Sequence, residues 1–88
     1  MIEKLAGIEE RYEELERLMG DPEVAQDYEQ VAKYAKERSD LQPIVEKYRE
    51  YRVIAEGLAE AREIQQTSKD ADMRELAQME IEELAPQV

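Results

Sequence analysis

Apolar residues recur through the first twenty positions at Met1, Leu5, Ile8, Tyr12, Leu15 and Met19, in steps of four, three, four, three and four. That alternation follows the helical repeat and puts all six on one seam of an α-helix. Glu9, Glu10, Arg11, Glu13, Glu14, Glu16 and Arg17 lie between them and read as the solvated side. Glu13 and Arg17 stand in the favoured i,i+4 order of a helix ion pair. Gly20 suits the position just past a helix end, where a left-handed conformation carries no Cβ penalty. In Asp21-Pro22 the aspartate is a candidate N-cap, and the proline fits a first helical position. The pattern predicts a helix over 2–19 and a single turn of helix at 22–25.

A longer pattern follows. Tyr34, Leu41, Tyr48 and Ala55 recur every seven residues, and Val31, Ile44, Val45, Tyr51, Leu58, Ala61 and Ile64 broaden the same face. Pro43 interrupts this run by removing the backbone donor for the carbonyl of Ser39. Either the helix breaks near Gln42 or one long helix kinks. The apolar phase passes Pro43 without a shift, which favours one kinked helix over 27–66, about 60 Å long at the helical rise. Thr67, Ser68, Lys69 and Asp70 form a polar turn. A third helix is predicted over 71–85, starting at Asp70 or Asp72, with Asp72-Met73-Arg74-Glu75 approximating a capping box. Met73, Leu76, Ala77, Ile81 and Leu84 form its apolar face, and Pro86 ends it.

Three amphipathic helices joined by short turns give an all-α fold, an antiparallel helical hairpin or three-helix bundle around the long central helix, as one domain over 1–88. Counting outward from the turns places Met1 near Val45 and Leu84 near Tyr51. That leaves Ile44, Val45, Tyr48 and Tyr51 only partly covered. The third helix then reads as cut short of a longer parent, and weak self-association through those residues is expected.

Composition narrows what such a fold can do. The 88 residues include 23 Asp and Glu against 12 Lys and Arg, a net charge of -11. An acidic surface repels phosphate, so nucleic-acid binding through a basic face is disfavoured. Lys33, Lys36, Arg38, Lys47, Arg49 and Arg52 make the central helix the least acidic element, and they read first as partners for neighbouring glutamates. Cys and His are absent, which removes disulfides, thiolate metal sites and the common nucleophile–base pairs. Glu9, Glu13 and Glu16 share a face, but a working acid–base pair needs burial or a specific neighbour. Asp70-x-Asp72 begins like a calcium loop, yet Glu75 stands where the sharp-turn glycine belongs. Gly7, Gly20 and Gly57 are isolated and build no phosphate-cradling loop. Tyr12, Tyr34 and Tyr48 lie on seams as packing residues, while Tyr28 and Tyr51 remain open to partner contact. No apolar run reaches the ~20 residues of a membrane span. The sequence therefore offers no catalytic, cofactor or metal residues and no small-molecule substrate. It reads as a binding or positioning module, with an autonomous coiled-coil adaptor and an acidic nucleic-acid mimic as alternatives.

Five segments together carry a resemblance: Ile8-Glu-Glu-Arg-Tyr-Glu-Glu-Leu-Glu16, Asp21-Pro-Glu-Val24, Lys36-Glu-Arg-Ser-Asp-Leu-Gln-Pro-Ile-Val-Glu46, Tyr48-Arg-Glu-Tyr51 and Met73-Arg-Glu-Leu-Ala-Gln78. In this order and spacing the chain resembles the N-terminal helical domain of bacterial peptide chain release factors of the release factor 1 type. The resemblance implies a fragment of a longer cytoplasmic factor that ends translation at stop codons. It also implies that the codon-reading tripeptide and the Gly-Gly-Gln loop lie in later domains. This region would then face the stalk base of the large ribosomal subunit and help position the factor. No codon-reading or catalytic residue carries over to these positions, and no motif singles out the partner-binding residues.

Overall fold

The computed structural model describes residues 2–88. The described residues are α-helical without strands: α1 spans Ile2–Met19, α2 Pro22–Ala25, α3 Tyr28–Thr67 and α4 Ala71–Leu84, with a 3-10 turn at Ala85–Gln87. The contacts fall into two units, Met1–Tyr48 and Arg49–Val88, with α3 contributing to both.

The helix starts are set by aspartates. Asp21 accepts a hydrogen bond from the Glu23 N–H at 2.9 Å, with Pro22 opening α2. Asp27 accepts one from the Gln30 N–H at 3.2 Å, satisfying a donor that the first turn of α3 leaves without a helical partner. At α4 the cap is Asp70, whose Oδ1 accepts from the Asp72 N–H at 2.9 Å. Asp72 therefore sits inside the first turn and does not head a capping box. Its charge still favours that end of the helix.

α3 continues through Pro43. Ser39 and Pro43 both lie on the exposed side, where water can serve the carbonyl deprived of its usual donor. Gly20 departs from expectation. No residue among those described has a positive φ, so Gly20 is not left-handed. Its N–H instead donates to the Glu16 and Arg17 carbonyls, both at 3.2 Å, extending α1 by a tightened final turn.

In the first unit the core is made of Tyr12, Leu15 and Val45, with Leu15 fully enclosed. Leu5, Ile8, Tyr34 and Leu41 are half-buried around it. Val45, which counting from the turns leaves only partly covered, is buried to 1 % exposure. The register of the helices accounts for this. Arg11 of α1 meets Glu37 of α3, so the earlier turns of α1 run alongside the later turns of this part of α3. Met1, expected beside Val45, lies outside the described residues.

In the second unit the buried side chains are Leu58, Ala61 and Ala77. Gly57 lets α4 close in, since a Cβ there would stand 3.3 Å from Leu84 Cδ1. Leu84 thus reaches Gly57, nearer the interhelical turn than the expected Tyr51. Side chains lean toward the N-terminus of their own helix, and for α4 that direction points back toward the turn. The Gln65 amide donates to Gln78 Oε1 across the same pair of helices. The turn is tied down by Arg74 Nη1 donating to the Ser68 carbonyl at 2.9 Å and by the Asp70 N–H donating to Ser68 Oγ at 3.2 Å.

Candidate interaction surfaces

The acidic side chains resolve into caps, a cross-helix pair, the buried Glu9 and solvated faces. Among the described residues no group of carboxylates is placed to hold a metal ion. The Asp70 carboxylate, first residue of the calcium-like stretch, is occupied as a helix cap. Glu13 and Glu16 are exposed, whereas Glu9 is buried and engaged by a neighbour, so the three do not gather into a pair with shared solvent exclusion.

A polar clasp joins α1 to α3 within the first unit. Arg11 donates twice to Glu37, from Nε to Oε2 at 2.7 Å and from Nη2 to Oε1 at 2.9 Å, in the two-pronged geometry that guanidinium and carboxylate planes favour. Arg11 Nη1 also reaches Glu14 at 3.2 Å, so the intrahelical pair on α1 is Arg11–Glu14 and not Glu13–Arg17. The hydrogen bond from Arg11 holds the Glu37 carboxyl below its ordinary value of 4.5, and Glu37 in turn raises the Arg11 guanidinium. One residue on, the Arg38 guanidinium lies 4.9 Å from the centre of the Tyr12 ring, in the range of a cation–π contact.

Residue type alone reads Arg11 as solvent-facing and Arg38 as charge balance. The signal that could have found them is their phase. Arg11 lies three after Ile8 and four before Leu15. Glu37 and Arg38 lie three and four after Tyr34, at the borders of the apolar seam. Glu9, four after Leu5 and three before Tyr12, sits on the seam itself. Of the basic residues on the central helix, Lys36 pairs with Asp40 at 3.4 Å on an open face, and Lys47, Arg49 and Arg52 each have partners.

The apolar surface is unevenly distributed. Tyr28 is 85 % exposed at the start of α3, while Tyr12 is buried and Tyr34 and Tyr48 are half-buried. Tyr51 and Ile44 are partly open, and Val53 faces outward from α3. On α4 the expected apolar face divides. Ala77, Ile81 and Leu84 turn toward the packing, Leu76 and Met79 stand on the outer side, and Met73, one turn before Ala77 and 44 % exposed, borders the two. The first three cluster within a narrow arc of the helix, and Leu76 and Met79 lie well outside that arc. Among the described residues no helix is long and apolar enough to cross a membrane.

Comparison with known proteins places this helical scaffold in a family. The sequence profile of the PCRF domain family matches residues 8–88. The chain is 44 % identical over its full 88 residues to peptide chain release factor 1 of Bacillus licheniformis, covering 25 % of that protein. It is 43 % identical over 88 residues to peptide chain release factor 1 of Clostridioides difficile, again covering all of this chain and 25 % of the relative. Against peptide chain release factor 1 of Bacillus subtilis it is 45 % identical over 84 residues, 96 % of this chain and 24 % of the relative. The chain thus spans about a quarter of the length of the curated relatives it matches. No solved structure matches it. A profile match over nearly the whole length, on a helical scaffold with the expected seams, makes this chain a member of the PCRF domain family.

Proposed function

We propose that this chain is the docking and positioning domain of a bacterial peptide chain release factor, acting on the cytoplasmic ribosome when a stop codon is reached. The observation that carries this reading is the 44 % identity over all 88 residues to a quarter of the Bacillus licheniformis factor. The structure supports a non-catalytic role. Its polar side chains cap helices and clasp α1 to α3, and most of its other carboxylates stand on solvated faces. Stiff paired helices can carry a surface at a fixed offset from domains that do chemistry, and so bias how a factor arrives and orients. The partner is the ribosome, with the stalk base of the large subunit as the contact region.

The chain has no cysteine of its own, so once the cysteines of the remaining factor are replaced a single introduced thiol locates it. The chain is grafted into the Bacillus licheniformis factor in place of its matched quarter, and Lys69→Cys, in the exposed turn before α4, carries a tethered hydroxyl-radical source. Cleavage confined to ribosomal RNA of the stalk base is the expected result. Cleavage elsewhere on a productively bound factor would remove that assignment.

A further inference from the structure

The outer side of α4 carries more apolar surface than a short solvated helix requires. Met73 is 44 % exposed, and Leu76 and Met79 are each 60 % exposed, along a helix of only 14 residues. Isolated exposed apolar residues need no explanation, but three at spacings of three are neighbours on the helix surface and form a strip that winds from the edge of the packed arc at Met73 to the outer side at Leu76 and Met79. Methionine suits such a strip, because its unbranched thioether adapts to the shape of an incoming side chain.

The charges around the strip say what can cover it. Asp72 lies four residues before Leu76, Glu80 four after it, and Glu83 four after Met79, so all three stand within the strip's own rows, and all are exposed. Across α4, Asp72, Glu75, Glu80, Glu82 and Glu83 oppose the single cation Arg74, whose Nη1 is directed back onto the Ser68 carbonyl. A second copy would bring a matching set of carboxylates against these, on chains that each carry a net charge of -11. Like charges opposed in an interface cost affinity, so self-pairing is disfavoured. The complementary occupant has apolar anchors flanked by Lys or Arg.

We propose that the Met73–Leu76–Met79 face of α4 is a docking site for a basic amphipathic helix of a partner protein. The proposal rests on the reading of this chain as a docking domain, and it assigns the face and the chemistry of the partner. The apolar anchors supply most of the affinity, while the acidic rows speed encounter and select the partner's charge.

The test uses the 88-residue chain labelled at its methionine methyl groups. It is titrated with a Leu/Lys amphipathic peptide of about 18 residues, five turns of helix, and separately with the Leu/Glu peptide of the same pattern. Expected are shifts of the Met73 and Met79 methyls, little change at Met19, and no binding of the Leu/Glu peptide. Leu76→Ser should weaken the Leu/Lys peptide by at least about tenfold, the loss typical of a central interface anchor. Val53→Ser removes an apolar side chain that is at least as exposed and lies outside the strip, and it should leave the affinity unchanged. Because both positions are exposed, far-UV circular dichroism should show that both variants keep their helices. The proposal is overturned by absence of binding, by equal shifts at Met19, by an unchanged affinity in Leu76→Ser, or by sedimentation showing a dimer that Leu76→Ser dissolves. Each failure concerns this face alone, because the location test with the grafted factor does not depend on it.

Discussion

The two contact units solve the same packing problem with different residues. The first, Met1–Tyr48, encloses large side chains, Tyr12, Leu15 and Val45, and braces them with the Arg11–Glu37 clasp and the Arg38 guanidinium over Tyr12. The second, Arg49–Val88, brings helices together on small residues, Gly57, Ala61 and Ala77, with Leu58 as its one large buried side chain. Small residues permit close approach but bury less area per position, so more of the enthalpic attraction comes from tight contact than from volume removed from water. The larger apolar residues of α4 are left on the outer side. The first unit is built to be held together, and the second also presents a surface.

The largest expected effect separates the enclosed core of the first unit from the outer strip of the second. Leu15→Ala removes a fully enclosed side chain and should destabilise the chain by about 2–5 kcal/mol, read from urea unfolding followed by circular dichroism. Leu76→Ala, at an exposed position in the second unit, should change stability by no more than about 0.5 kcal/mol. Comparable losses at both positions would erase the distinction. Next in size is Ala77→Leu, which forces extra volume into the close contact of the second unit. A loss of about 1–3 kcal/mol is expected, with amide exchange accelerated in α4 before the first unit is affected.

A pair of glycine substitutions sharpens the comparison further. At Gly20 a Cβ would meet only ordinary contacts, 3.5 Å from the Arg17 carbonyl oxygen and 3.6 Å from that of Glu16, and the backbone is not left-handed. Gly20→Ala should therefore raise stability by about 0.4–1 kcal/mol. At Gly57 the 3.3 Å approach of Leu84 Cδ1 requires that side chain to give way. Gly57→Ala should accordingly fall short of the ~1 kcal/mol that an unobstructed mid-helix replacement gains. An equal gain at both sites would show that close approach in the second unit is not limiting.

The smallest effect is electrostatic. Hydrogen bonding from Arg11 lowers the Glu37 carboxyl below 4.5, so the folded chain favours its ionised form more than the unfolded chain does. The contribution is fully present above that ordinary value and fades as the pH falls through the lowered folded value. Melting temperature should therefore drop on the acid side more in the parent sequence than in Glu37→Gln. The two should differ most near neutral pH and converge in acid. Both groups are accessible to solvent, which keeps the difference small and makes it shrink with added salt.

Much of the scaffold was legible in the residue pattern because local rules and packing agree there. The seam of α1 and the capping aspartate Asp21 mark a helix face and a helix start that the structure reproduces. α3 runs on past Pro43 as the uninterrupted apolar phase implied. Other features depend on distances between helices, which periodicity does not carry. The burial of Val45, the burial of Glu9 and the Arg11–Glu37 clasp follow from the register of α1 against α3. The division of α4 into a packed arc and an exposed strip was missed because Met73 and Leu76 are as apolar as Ile81 and Leu84. Only the close fit at Gly57 and Ala77 decides which arc faces α3. Gly20 misled for a local reason, since a glycine at a helix end permits a left-handed residue without requiring one.

The central claim, that this chain positions a release factor without joining its chemistry, is tested most directly by a kinetic split. The Bacillus licheniformis factor is compared intact, with its matched quarter deleted, and with this chain grafted in that place, in a stop-codon-dependent peptide release assay. The account predicts that deletion raises the half-saturating factor concentration while leaving the maximal release rate nearly unchanged, and that the graft restores the intact value. A maximal rate that collapses on deletion and returns with the graft, at an unaltered half-saturating concentration, would contradict it.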